Sequence, residues 1–186
     1  MKFLFYTALA ILLSWSSAHS QVFLGGTGNV SFQSVDNNNP NGSVKTKSLI
    51  LNPRIGFFLS DNVVAGLELG YENHDYAGYG DYHLLSAGLF SRYFFKNHER
   101  IRFFGDLSAT YGIGQELRTG DKAFDIQEFR AQLQPGVSFA LTPKVHLQLT
   151  VGNLQYGVST PNGYSNSTKS FSVSLNRIGA GIWFAL

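Results

Sequence analysis

The residues best suited to chemistry in this sequence lie close together in its first half. His74 and Asp75 are followed by Asp81 and His83. Four such side chains across a hairpin could bind a divalent metal, and a histidine beside a carboxylate could act as base for a serine such as Ser86. Their spacing matches no metal or hydrolase signature, and His and Asp are common at loop ends. We therefore predict no catalytic residue, cofactor or metal ion, and no enzymatic activity.

The elements that position these residues are predicted to be β-strands. No long segment has the 3.6-residue apolar period of a helix, whereas polar and apolar residues alternate in many places. Between Val145 and Val151, for example, the odd-numbered residues are apolar and the even-numbered ones polar. The alternation predicts strands over residues 22–34, 46–60, 63–74, 82–95, 101–114, 128–141, 145–157 and 169–186.

The connections between these strands predict how they are arranged. Short turns at 60–62, 96–100 and 142–144 alternate with mostly longer connections at 36–45, 75–81, 115–127 and 158–168. An even number of strands with short turns at one end and longer loops at the other is typical of a bacterial transmembrane barrel. We predict an all-β fold, an eight-stranded antiparallel up-and-down transmembrane β-barrel.

Alternation alone leaves open which face of the strands points outward. A soluble, lipocalin-like ligand carrier has the same period with an apolar lumen and a polar exterior. Charged residues make up only 14% of the chain, against about 25% in soluble domains. Lysines also avoid the strand centres, which favours an apolar outer face and a membrane barrel. The lysines considered are Lys45, Lys47, Lys96, Lys122, Lys144 and Lys169.

The beginning of the chain has the features of an export signal. Lys2 precedes an apolar run over residues 3–13, and Ala18-His19-Ser20 has the small-x-small pattern of a cleavage site. We predict a signal peptide over residues 1–20 and one barrel domain over 21–186. The chain has no cysteine, so it has neither disulfides nor thiolate metal sites. A formal charge of +2, spread along the chain, gives no basic stripe for nucleic acid.

Several segments resemble one family. They are Leu24-Gly25-Gly26; Asn52-Pro53-Arg54-Ile55-Gly56-Phe57-Phe58 with Ser60-Asp61-Asn62; Gly88-Leu89-Phe90-Ser91-Arg92-Tyr93-Phe94-Phe95; and Gly179-Ala180-Gly181-Ile182-Trp183-Phe184. The mature chain resembles the small outer-membrane β-barrel proteins, the outer membrane protein β-barrel domain group, similar in architecture to the transmembrane domain of outer membrane protein A. The resemblance implies the bacterial outer membrane and folding by the barrel-assembly machinery. It says little about activity, because a fold does not imply a function.

The same resemblance leaves an enzyme as an alternative, since some eight-stranded outer-membrane barrels are lipid A acyltransferases or deacylases. The chain also departs from the family at its end. It finishes Phe184-Ala185-Leu186 rather than on an aromatic residue, although Phe184 and Leu186 share a face with Ile182.

Charged residues on the polar faces of the strands are predicted to meet inside the barrel. An eight-stranded lumen is just wide enough to be filled by side chains, so charges there must pair. The favoured interpretation is a polar core that satisfies itself; the alternative is a narrow, porin-like pore gated by ion pairs. The predicted lumen network is Arg54, Glu68, Arg92, Arg102, Asp106 and Arg130.

Aromatic residues near strand ends are predicted to form the two girdles that anchor a barrel at the membrane interfaces. These residues are Tyr71, Tyr82, Tyr93, Phe95, Phe103, Tyr156 and Trp183.

The last strand contains two apolar sets in opposite phase, Phe171 to Leu175 and Ile178 to Leu186, which a β-bulge near Asn176-Arg177 would reconcile.

The sequence as a whole predicts a monomeric barrel of the cell envelope. We expect it to contact outer-membrane lipid and lipopolysaccharide, and to have a structural, envelope-stabilising or surface-interaction role through its extracellular loops.

Overall fold

The chain forms a closed barrel of eight antiparallel strands in which each strand pairs with its neighbours in chain order and β8 pairs with β1. The computed structural model describes residues 21–36, 43–76, 80–98, 100–118, 121–161 and 167–186. This confirms the predicted fold. The strands are β1 (Val22–Asp36), β2 (Ser43–Ser60), β3 (Val63–Tyr76), β4 (Gly80–His98), β5 (Ile101–Arg118), β6 (Asp121–Ala140), β7 (Val145–Pro161) and β8 (Thr168–Ala185).

The two ends of the barrel differ. The turns after β2, β4 and β6 and both ends of the described chain lie at one end, called here the turn end. The turn after β6 is fixed by Thr142, whose hydroxyl oxygen accepts hydrogen bonds from the backbone N–H groups of Lys144 at 3.2 Å and Val145 at 3.0 Å. The opposite end, called the loop end, contains the connections after β1, β3, β5 and β7.

The outer wall of the barrel is apolar and its interior is mostly polar. Leu67, Leu89 and Leu107 are more than half exposed on the outside, whereas Gln148 and Thr150 are buried inside. Because successive side chains of a strand point to opposite faces, each strand supplies both surfaces. The lipocalin-like alternative, with an apolar lumen and a polar exterior, is therefore wrong for this barrel.

The strands extend further at the loop end than the sequence predicts. β5 continues to Arg118 and β6 already begins at Asp121, so the predicted loop over 115–127 is wrong. Gly114 pairs with Ile126 and Gln115 with Asp125 in this extension. The apolar alternation ends near residue 114, but strand pairing uses backbone groups and continues where the side chains become polar.

Irregularities in the ladders shift the phase of the strands. In β7 the register changes between Val151 and Asn153, where Gly152 has a φ of 70° that a side chain with a Cβ would strain. On β8 the paired residues jump from Ile178 to Ser174 at the same place. This interruption lies where the sequence requires the two apolar sets of β8 to change phase.

The predicted signal peptide over residues 1–20 lies outside the described part of the chain and stays a prediction. Among the described residues, no helix is long and apolar enough to cross a membrane.

Candidate site in the barrel lumen

Four charged side chains from four strands form one hydrogen-bonded group inside the barrel, called here the inner ion-pair cluster. Asp106 on β5 is its centre. Arg54 Nη1 donates to Asp106 Oδ2 at 2.5 Å, and Arg92 donates from Nε to Oδ1 at 2.6 Å and from Nη2 to Oδ2 at 2.8 Å. The cluster is completed by Glu68, whose Oε2 accepts from Arg54 Nε at 2.6 Å. Two guanidinium groups and two carboxylates give a formal charge of zero.

The inner ion-pair cluster is sealed from solvent. Arg92 is 0% exposed and Asp106 2%. The remaining donor of Arg92, Nη1, bonds to Gln148 Oε1 at 2.7 Å, and Gln148 Nε2 in turn donates to the carbonyl of Gly26 at 2.9 Å. Buried charges are tolerated when they are paired and hydrogen-bonded in this way, so the cluster fits a closed interior.

Aromatic rings fill the turn end of the lumen and contact the arginines. The Arg92 guanidinium lies over the ring of Phe104, 3.8 Å from its centroid, and the Arg54 guanidinium lies 4.9 Å from that of Phe90. Such contacts add a favourable cation–π term to the ion pairs. The buried rings and their packed neighbour form the aromatic cluster: Phe23, Phe58, Phe90, Phe94, Phe104 and Trp183.

A second group, the outer ion-pair cluster, lies nearer the loop end. Arg130 donates from Nη2 to Glu128 Oε1 at 2.7 Å and also bonds to Glu72. Tyr82 donates its hydroxyl to Glu128 Oε2 at 3.0 Å, and His74 Nε2 lies 3.6 Å from Glu72 Oε2. One guanidinium against two carboxylates leaves a formal charge of −1 when His74 is neutral.

A small polar cavity of about 40 Å³ lies between the two clusters. This volume has room for about two or three water molecules. Its walls include Glu68 of the inner cluster and Glu72 and Arg130 of the outer one. The uncharged polar side chains around it include Asn52, Ser86, Ser108, Thr110, Gln132, Gln134 and Thr150.

The six residues predicted for the lumen network therefore divide into three places. Arg54, Glu68, Arg92 and Asp106 meet in the inner cluster, whereas Arg130 belongs to the outer one. Arg102 joins neither group; it lies at the turn end, where Nη2 donates to the backbone carbonyl of Asp61 at 2.7 Å and the guanidinium covers the ring of Phe94.

The carboxylates of the outer cluster were missed by the sequence reasoning. Glu72 lies four residues after Glu68, and Glu128 lies two residues before Arg130, so the period of two already places both on the inner faces of β3 and β6. This parity was the available signal.

Two of the predicted interfacial aromatics are inside the barrel, and this corrects the prediction for them. Trp183 is 1% exposed, and its Nε1 donates to Ser138 Oγ at 3.0 Å. Tyr82 bonds to Glu128 in the lumen. The alternation along each strand places both side chains on the inward face. Their position near a strand end does not show this. Tyr71 lies half-buried on the outer face, and Tyr93, Phe95, Phe103 and Tyr156 are exposed there.

Trp183 is part of a stack of three rings. The His146 ring lies nearly parallel to it, with centroids 3.8 Å apart, and the Phe23 ring also stacks on Trp183, with centroids 5.3 Å apart. His146 is buried, and its Nδ1 has no hydrogen-bond partner among the described residues. The stack closes the turn end of the lumen.

The residues first considered for chemistry are separated by the sheet. His74 shares the inward phase of Glu72, whereas Asp75, Asp81 and His83 have the opposite phase on paired positions of β3 and β4. Ser86 lines the lumen cavity, on the face opposite to His83. Within the described ranges, no group of three or more His, Cys, Asp or Glu side chains is placed to hold a metal ion.

Comparison with known proteins identifies the fold. No protein-family model and no curated protein matches the chain. Neisserial surface protein A is similar in structure, with a TM-score of 0.55 and 16% identity over 91% of this chain and all of the other. The N-terminal β-barrel domain of Pseudomonas aeruginosa OprF gives a TM-score of 0.54 and 17% identity over 90% of this chain and all of the other. The predicted resemblance to small outer-membrane β-barrels is thus confirmed at the level of fold.

The central role of Asp106 is testable by charge removal. Asp106→Asn leaves Arg54 and Arg92 facing one remaining carboxylate, and breaking a buried pair costs about 3–5 kcal/mol. We expect its unfolding midpoint in urea, measured in lipid vesicles, to fall accordingly. Glu128→Gln is the matched control, because Arg130 keeps Glu72, and its loss should be well under half as large. Equal losses in the two variants would contradict the central role of Asp106.

The position of Trp183 predicts a spectroscopic result. In a chain beginning at Gln21, Trp183 is the sole tryptophan. We expect brominated lipid tails to leave its fluorescence nearly unquenched, because the ring lies inside the barrel. In a variant that carries both Phe103→Trp and Trp183→Phe, the indole lies on the outer face, so its fluorescence should be strongly quenched. Similar quenching of both chains would place Trp183 outside.

Proposed function

We propose that this chain is an integral β-barrel of a bacterial outer membrane, exported by residues 1–20 and inserted with its loop end outside the cell. The observation that carries the proposal is the apolar outer wall around a polar, hydrogen-bonded interior. Such a wall would promote aggregation if it were exposed to water. In a bilayer the same apolar side chains contact the lipid tails. The fold likeness to outer-membrane barrels supports the same placement.

We propose further that the barrel is a scaffold and has no catalytic role. Its part in the cell would be envelope stability or surface interaction through the connections at the loop end, with lipid and lipopolysaccharide around the wall. Binding on such proteins is carried by loops on a rigid framework. Unchanged lipid A masses in cells with and without the gene would agree with this; a changed acyl pattern would favour the lipid A-modifying alternative.

The membrane placement can be tested on one strand. Leu107 and Gln115 have the same outward phase on β5, but Leu107 is in the middle of the apolar wall and Gln115 is near the loop end. Arginine at the middle of a bilayer costs about 2–4 kcal/mol, and close to nothing at its edge. We expect Leu107→Arg to lose about that much folding stability in vesicles and Gln115→Arg to resemble the unaltered chain.

The unaltered protein is also expected in the outer-membrane fraction, with a mobility in dodecyl sulfate that changes on boiling. Recovery in the soluble fraction, together with no effect of Leu107→Arg, would overturn the membrane placement.

A narrow pore is the second candidate, and the polar cavity between the two ion-pair clusters is the observation that favours it. Between the cavity and the turn end, the lumen is closed at two places, first by Arg92 and Asp106 and then by the aromatic cluster. We therefore expect no conductance from the unaltered protein in a planar bilayer, and none from Arg92→Ala, because the rings remain. Channels that appear in Arg92→Ala would instead identify the ion pairs as a gate.

A further inference from the structure

The polar cavity between the two ion-pair clusters is bordered by buried hydroxyl groups. Ser108 and Thr110 on β5 line it and are 6% and 8% exposed. Among the described residues, no hydrogen bond joins either hydroxyl to another group. A buried polar group without a partner is unfavourable, so groups of this kind normally bind something in the space that they face.

A carboxylate oxygen borders the same cavity. Arg54 Nε donates to Glu68 Oε2 at 2.6 Å, and Nη2 lies 2.5 Å from the same oxygen. Within the described part of the chain, Glu68 Oε1 accepts no hydrogen bond, although the residue is only 6% exposed. The ion pair with Arg54 thus leaves one carboxylate oxygen of Glu68 for the cavity that this residue lines.

The strand register explains why space remains between these groups. Gly88 on β4 pairs with Glu68 on β3 and with Thr110 on β5. Gly88 has the same inward phase as Ser86, which also lines the cavity. Because glycine has no side chain, β4 places nothing between Glu68 and Thr110 at this level.

The guanidinium that borders the cavity directs its N–H groups elsewhere. Arg130 donates from Nε at 3.0 Å and from Nη2 at 2.7 Å to Glu128 Oε1, and it also bonds to Glu72. The groups left for the cavity by Glu68, Ser108 and Thr110 are oxygens, and a hydroxyl can turn its hydrogen away to offer a lone pair. Oxygen atoms are the ligands that hard cations bind.

The charge of the surroundings also favours a cation with a single charge. Together the two clusters contain three guanidinium groups and four carboxylates, so their formal charge is −1 when His74 is neutral. One monovalent cation brings this sum to zero. A divalent ion takes several carboxylate ligands, whereas the cavity offers one carboxylate oxygen beside neutral hydroxyls.

We propose that this cavity binds one alkali cation of the size of sodium or potassium, held by Glu68 Oε1 and by the hydroxyl oxygens of Ser108 and Thr110. The volume of about 40 Å³ has room for such an ion together with one or two water molecules. The inference goes beyond the envelope role proposed above, because it gives the closed lumen a ligand of its own.

Ion-specific stabilisation tests the site. The unfolding midpoint in urea is measured in vesicles of neutral phosphatidylcholine, at one ionic strength, in the chloride salts of sodium, potassium and N-methylglucamine. The organic cation screens charges equally but is too large for the cavity. We expect a higher midpoint in sodium or potassium, because a ligand that binds only the folded chain stabilises it. At ten times the dissociation constant, the ratio of folded to unfolded chains rises about elevenfold.

Two variants locate the effect. A chain with Ser108→Ala and Thr110→Val lacks both hydroxyl oxygens and should show no difference between the salts, whatever its overall stability. Thr110→Val alone should show a reduced difference, and it serves if the double variant does not fold. Ser138→Ala is the matched control, because it removes a buried hydroxyl that accepts from Trp183 and does not line the cavity. It should retain the full difference between the salts.

Two results would overturn the proposal. Equal midpoints of the unaltered chain in all three salts would mean that the cavity holds water alone. An undiminished difference between the salts in the Ser108→Ala, Thr110→Val chain, or in Thr110→Val, would place the bound cation elsewhere in the protein.

Discussion

The interior of this protein depends on one constraint, that every charge enclosed by an eight-stranded wall must find its partner inside. Asp106 meets that constraint by accepting from two arginines on two other strands, so a single carboxylate connects β2, β4 and β5. The aromatic rings around those guanidiniums exclude the water that would otherwise screen the pairs. Closure of the wall thus makes pairing of the charges necessary, because a buried charge without its partner is strongly unfavourable.

The polar interior is organised in steps from one end to the other. Rings fill the turn end, neutral ion pairs follow, hydroxyl and amide side chains surround a small cavity, and a group with an excess of carboxylate lies nearest the loop end. The formal charge therefore changes from zero at the inner cluster to −1 at the outer one when His74 is neutral. With His74 neutral, this difference orients the electric field along the lumen.

Much of this could be predicted from the sequence, because alternation in a strand has only two phases. Once Leu147 and Leu149 are assigned to the outer face, His146 and Gln148 must face inward, and the same parity places Arg54, Arg92 and Asp106 in the lumen. The alternation does not show how far along the barrel axis an inward side chain lies, because strand tilt and register decide which inward residues are at the same depth. For this reason the alternation alone groups Arg130 and Arg102 with the four residues that meet in the inner cluster.

The errors have related causes. Trp183 and Tyr82 were assigned by residue type and by nearness to a strand end, although their phase was the stronger indicator. The β5–β6 connection was placed where apolar residues stop, although backbone pairing does not need them.

The paired extension of β5 and β6 beyond the apolar wall has a consequence for recognition at the surface. Gln115 bonds to Asp125 across it at 3.1 Å, and Tyr111 to Gln127 at 2.8 Å, so side chains as well as backbone groups bind the two strands together. A molecule that contacts the strand surface at residues 111–115 and 125–127 would meet side chains that already bond to one another. Little conformational freedom would then be lost on association, and selectivity would come from complementarity to one fixed outline rather than from adjustment.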